Sequence, residues 1–207
     1  MIHFIEVLMS KAKQYLLWEN RREEGDAFIY GGWPRGLNVS FSTGTHIAQA
    51  VPKIEVTLNQ KSQGRLTDNV LIAGGGPIFS DRFIQLLKQN GVNNIDTYPC
   101  EIINSVTNEI HRNFQVVNII GKISCIDPIN SDITFASGDP KRMLGYVYLS
   151  LDESKISDLK LFVLSEMPVQ IVVHSEIATA MKDAGITGVE FMMQGSKESN
   201  PDGFFWR

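Results

Sequence analysis

Three consecutive glycines, Gly74, Gly75 and Gly76, stand between an apolar run at 70–73 and the helix-opening pair Ser80-Asp81. Backbone amides without side chains, close to a helix N-terminus, can cradle a phosphate. The spacing argues against that chemistry. A P-loop needs Gly-x-x-x-x-Gly-Lys-Ser/Thr, and a dinucleotide fingerprint needs Gly-x-Gly-x-x-Gly. Counted from Gly74, the sixth residue is Phe79; no lysine opens the helix, and Pro77 removes an amide. A structural turn at the sheet edge is the favoured reading, with an anion or nucleotide site in a strand-to-helix turn as the alternative.

The remaining chemistry-bearing residues are scattered. His3, His46, His111 and His174 have no His, Cys or carboxylate at metal-ligand spacing, so no metal or cofactor is called for. The stretch Asp127-Pro128-Ile129-Asn130-Ser131-Asp132 lacks the interior glycine and closing glutamate of a calcium loop and reads as a turn between strands. Glu23-Glu24 beside Arg21-Arg22 reads as a solvated surface. Cys100 and Cys125 lie in apolar strand-like runs and read as buried free thiols, with a disulfide between adjoining strands as the lesser alternative.

Two aromatic sites suit partner binding. Trp33 and Arg35 sit on the glycine-rich loop 31–36, and Phe204, Phe205 and Trp206 close the chain after a polar stretch. The terminal aromatics either tuck onto the domain or meet a partner, and tucking is favoured because it buries aromatic area.

The elements that must position these residues follow from pattern. Short strands are expected at 14–18, 27–30, 37–41 and 53–58, and a polar, linker-like stretch at 59–68. A helix over 82–89 has Ser80 as its N-cap, a staple of Phe79 on Ile84, an inward stripe of Phe83, Ile84 and Leu87, and Gly91 folding Val92 back on Leu87. The construction recurs: a strand at 169–173, a Ser175 cap, the stripe Ile177, Ala180, Met181 and Ala184, closure at Gly185, and a strand at 189–193. This is a β-α-β pattern used twice. Between them, strands are expected at 95–103, 113–127, 144–151 and 160–164, the second of these either buried on both faces or bent at Gly121. The fold expected is α+β, one domain over 14–193 with a largely antiparallel or mixed sheet and two or three short helices, an N-terminal extension at 1–13 (Met9 being a possible alternative start) and a tail at 194–207.

At 207 residues with 43% apolar and 20% charged content, the chain can build a substantial core. A net charge of −4 does not favour nucleic acid, which needs clustered Lys and Arg. No apolar run is long enough to span a membrane, and Ile2 to Met9 lacks the marks of a signal peptide.

Several short motifs together resemble a known family. They are Leu66-Thr67-Asp68-Asn69-Val70-Leu71, Ile78-Phe79-Ser80-Asp81-Arg82-Phe83, Asn94-Ile95-Asp96-Thr97-Tyr98-Pro99-Cys100-Glu101-Ile102 and Phe114-Gln115-Val116-Val117-Asn118-Ile119. Cys125-Ile126-Asp127 with Ser131, Leu161-Phe162, Ile171-Val172-Val173-His174-Ser175-Glu176 and Gly188-Val189-Glu190-Phe191 complete the order. In these the chain resembles the eleventh family of immunity proteins of bacterial polymorphic toxin systems, over about residues 53–193 with a weaker match at 14–20. The resemblance implies a cytoplasmic, non-catalytic protein that binds and neutralises a cognate protein toxin, without cofactor, nucleic acid or membrane; self-association stays open. It transfers no catalytic residue, and it implies that Asp68, Ser80, Pro99, Asn118, Asp127 and Ser131 hold turns and caps. A small enzyme with a dispersed site is the rival reading.

Overall fold

The computed structural model describes residues 14–195. In chain order its strands are β1 (Tyr15–Asn20), β2 (Phe28–Ile29), β3 (Ile54–Leu58), β4 (Asn69–Ile72), β5 (Ile78–Ser80), β6 (Ile95–Asn104), β7 (Ile110–Ile119), β8 (Lys122–Ile123), β9 (Asp132–Ala136), β10 (Asp139–Tyr148), β11 (Leu161–Leu164), β12 (Ile171–His174) and β13 (Val189–Met193). Helix α1 (Asp81–Gln89) follows β5, and α2 (Ser175–Asp183) follows β12. One sheet has six strands ordered β2-β4-β5-β7-β6-β3, the other five ordered β13-β1-β12-β11-β8, and β9 with β10 makes a separate hairpin. Parallel and antiparallel pairs mix in both main sheets, so the fold is α+β.

The two β-α-β units are real and share a topology that the sequence did not disclose. β5 and β6 are each antiparallel to β7, which lies between them, so α1 links two parallel strands across an inserted third. β12 and β13 flank β1 in the same way, with α2 as the link. The two helices pack on each other. Their apolar stripes meet one face of each sheet in a central core that includes Trp18, Phe79, Phe83, Leu87, Val117 and Met181. A second core covers the opposite face of the six-stranded sheet, and a third lies where β10 meets the five-stranded sheet.

The chain passes from one sheet to the other at Gly121. β7 ends fully buried at Val116–Ile119 and β8 joins β11 two residues after the strand ends. Both options for this run therefore hold. Gly121 has φ of 120°, and a Cβ there would stand 2.7 Å from Leu159 Cδ1, so only glycine makes the bend without strain.

Several expected elements are corrected. Residues 37–41 form no strand: Leu37, Val39 and Phe41 alternate inward over the second core, yet the segment has no ladder partner. The stretch 59–68 is not a linker, since it holds a 3-10 turn at Gln60–Ser62 and buries Thr67 and Asp68. β9 was not foreseen. Ser175 is the first residue of α2 rather than its cap; His174 takes that role, its Nδ1 accepting from the Glu176 amide at 3.3 Å. The expected extension at 1–13 and the end of the tail, residues 196–207, lie outside the described residues.

Candidate functional site

The triple glycine sits in the hairpin between β4 and β5, not in a strand-to-helix turn, because Ile78–Ser80 first pairs with β7 and only then does α1 begin. Each glycine has a steric reason. Gly74 has φ of 69° and Gly75 of 129°, and a Cβ on Gly75 would fall 2.5 Å from Trp33 Cε3. A Cβ on Gly76 would fall 2.6 Å from Phe41 Cβ and 2.9 Å from Val116 Cγ1. The turn is narrow so that Trp33 and Phe41 can lie over it, with their rings edge-on at 5.8 Å. That is the structural reading, and it accounts for all three positions.

Trp33 is accordingly half-buried against the second core, while Arg35 is exposed on the same loop. Phe204, Phe205 and Trp206 lie outside the described residues. The sequence missed an aromatic step beside the Trp33 loop: Phe28 and Tyr30 have ring centroids 4.3 Å apart, and the Arg22 guanidinium carbon lies 5.6 Å from the Phe28 centroid. Phe28 and Tyr30 stand two residues apart in a strand-like run, which was the available signal for the ring pair; nothing in the sequence marked Arg22.

Asp68 is the best-connected polar side chain. Its carboxylate accepts from Arg82 Nε at 2.7 Å and also from Arg82 Nη2, from Ser80 Oγ at 2.6 Å, and from the Thr187 amide and hydroxyl, both at 2.9 Å. Burial opposes its ionisation, but the Arg82, Ser80 and Thr187 donors outweigh it and hold the carboxyl below its ordinary range. Arg82 also donates to the carbonyls of Ala184 and Gly185, at 3.1 and 3.0 Å, satisfying the C-terminal end of α2. One ion pair thus clasps the start of α1 to the end of α2. It is architecture, with both carboxylate oxygens taken up by donors of the fold.

The other motif residues also work as fasteners. Ser80 Oγ accepts from the Phe83 amide at 3.3 Å and caps α1. Asn118, wholly buried, donates to the Thr45 carbonyl at 2.8 Å and ties the 43–47 loop to β7. Asp127 accepts from the amides of Ile129 and Asn130, and Ser131 Oγ donates to the Asp127 carbonyl at 2.6 Å, so the loop is the expected turn. Pro99 differs: it lies inside β6 opposite Gln115 and serves neither turn nor cap.

Cys100 and Cys125 are free and buried in different cores, and burial first, then nearby carboxylates, pushes both thiols up to about 12. Such thiols are poor nucleophiles. Glu23 pairs with Arg65 and Arg21 with Glu190 on exposed surface, as expected for that charge run. His111 stands 3.6 Å from Glu109, and His46 Nδ1 lies 2.8 Å from Asp96 Oδ2. Among the described residues no group of three His, Cys, Asp or Glu side chains is placed to hold a metal ion, and no helix is long and apolar enough to cross a membrane. An open depression of about 510 Å3 is lined by Asp127, Ile129, Asp152, Glu153 and Lys155 among others. Its carboxylates serve local structure: Asp152 caps a 3-10 turn, and Glu153 accepts from the Tyr15 amide and Gln194 Nε2.

These polar contacts hold the fold together and leave identity to be decided by comparison, and the model of the immunity protein family (Imm11) matches residues 13–196. The chain belongs to the Imm11 family. No curated protein sequence matches it. Membership of Imm11 gives a toxin-neutralising immunity role as the general function and a cognate toxin as the general kind of partner. Of the motif residues quoted above, all but Pro99 map on to the clasp, the α1 cap and two loop ties, which explains why they specify a fold.

Proposed function

We propose that this chain is an immunity protein of a bacterial polymorphic toxin system, which binds one cognate protein toxin in the cytoplasm and blocks it by complex formation, without turning over a substrate. The match of the Imm11 family model to residues 13–196 carries this reading. The placement of the polar groups supports it: Asp68, Ser80, Asn118 and Asp127 are all bonded within the fold, as suits a rigid body that presents a surface. Trp33 and Arg35 are the first choice of contact, Trp33 offering its uncovered edge and Arg35 its charge. Inhibition of this kind draws its energy from a few buried anchors rather than from the whole contact area.

Co-expression with a toxin encoded by a neighbouring gene tests the reading. The chain should restore growth to cells producing that toxin, and the two purified proteins should form a complex in which toxin activity is lost. Growth arrest unrelieved by the chain, with no complex in solution, would overturn it.

A further inference from the structure

Tyr30 is 50% exposed, yet its backbone is fixed on both sides. Its amide donates to Ser62 Oγ at 3.1 Å, and its carbonyl accepts from Asn59 Nδ2 at 2.8 Å. The following residues are equally confined. Gly31 takes the left-handed φ of 62°, and a Cβ on Gly32 would stand 2.3 Å from the Thr57 carbonyl oxygen. Trp33 then lies over Gly75. Behind Tyr30 stands the Phe28 ring, with Arg22 over Phe28 in turn. A half-exposed tyrosine on a braced backbone, with an aromatic and an arginine behind it, has the composition of an interface anchor, and its ordering cost is met within the free protein.

The charge around this step runs against that of the whole chain. Arg22, Arg35 and Lys61 are exposed, and among the described residues none forms an ion pair with a carboxylate. Of the nearby carboxylates, Glu23 and Asp26 are already paired with Arg65, which leaves the exposed Glu24 as the one neighbouring acid outside the salt bridges. Lys61 belongs to the 3-10 turn that braces Tyr30. Three cations without a carboxylate partner therefore stand against one free acid, Glu24, around an aromatic step, and the local charge is positive in a protein whose net charge is −4.

We propose that this edge is the toxin-binding surface and that its partner is an acidic face of the toxin, with Tyr30 entering an apolar pocket and Arg22, Arg35 and Lys61 meeting carboxylates at the rim. The inference rests on the immunity reading and gives it a place and a charge. Cations at a solvated rim steer association, while the buried aromatic governs the lifetime of the complex.

Binding of the full chain to the purified, catalytically inactivated product of the adjacent toxin gene decides the matter. Tyr30→Ala should weaken the complex by about thirtyfold or more, the loss expected of an anchor. Arg35→Glu with Lys61→Glu should slow association by about tenfold and reduce its dependence on salt. Neither side chain makes a hydrogen bond or ion pair among the described residues, so these two changes report on binding even where Tyr30→Ala lowers the melting temperature. Ile129→Asp, at the rim of the acid-lined depression, should change nothing. An unchanged affinity for both the Tyr30 and the charge-reversal variants overturns the proposal, as does a loss confined to Ile129→Asp, which would mark a toxin docked at that depression instead. If the unaltered chain fails to bind this toxin at all, the immunity reading itself has failed.

Discussion

The two β-α-β units place different residues in the same backbone positions. In the first, Ser80 caps α1, Phe83, Ile84 and Leu87 are buried, and the Val92 amide donates to the Leu87 carbonyl at 3.0 Å past the left-handed Gly91. In the second, His174 caps α2, Ile177, Ala178 and Met181 are buried, and the Ile186 amide donates to the Met181 carbonyl at 2.9 Å past Gly185. The difference lies in self-sufficiency. α1 brings the aromatic Phe83 against Phe79, at 4.6 Å between centroids, and against Trp18 at 5.7 Å. α2 contributes smaller side chains, and its last carbonyls are satisfied by Arg82 from the other unit. A repeated pattern here does not mean two independent modules: the second depends on the first through the Asp68–Arg82 clasp.

Breaking the clasp should have the largest effect. Asp68→Ala leaves Ser80, Arg82 and the Thr187 donors without their buried acceptor, and should cost about 3–5 kcal/mol in urea unfolding, because several donors lose their partner at once although the Arg82 side chain is half exposed. A loss well under one kcal/mol would make the units independent after all. The same pair has a pH signature. Because the Asp68 carboxyl is held below its unfolded value of about 3.9, its contribution is complete above that pH and fades as pH falls through the lower folded value. Asp68→Asn should remove this acid-dependent part and flatten the decline of stability at low pH.

Truncation of the stripes comes next. Leu87→Ala and Met181→Ala should each cost about 2–5 kcal/mol, since both side chains are fully buried, and Leu87 should cost no less than Met181. Chemical denaturation of each variant checks this, and a larger loss at Met181 would reverse the dependence between the units. The caps should differ more mildly. Ser80→Ala should cost about 1–2 kcal/mol and His174→Ala less than about 1, because Ser80 also binds the buried Asp68. The smallest effect is expected at the glycine hairpin, where phosphate or nucleotide should leave the melting temperature unchanged. A saturable rise would restore the anion site.

Much of the construction was legible because it is local. The 82–89 helix, its Ser80 cap and the closures at Gly91 and Gly185 follow from caps, periodicity and glycine, which act over a few residues. The Gly121 bend and the Asp127–Ser131 turn were visible for the same reason. The α2 cap was misplaced by one residue because histidine is a weak capping signal beside serine, although its Nδ1 supplies the same acceptor. Residues 37–41 alternate like a strand, yet strand identity requires a partner, and no local pattern provides one.

For this protein the sequence by itself determined the α+β class, the paired helix constructions, the absence of phosphate-loop spacing, and the family resemblance that the match over 13–196 substantiates. Tertiary structure alone decided which strand was inserted into each unit, that the triple glycine makes room for Trp33 and Phe41, that Asp68 joins elements 119 residues apart through Thr187, and that Tyr30 stands braced beside unpaired cations. The physical reason is range. Hydrophobic period and capping are fixed by neighbours along the chain, whereas burial, ion pairing and steric exclusion depend on residues that only the folded chain brings together.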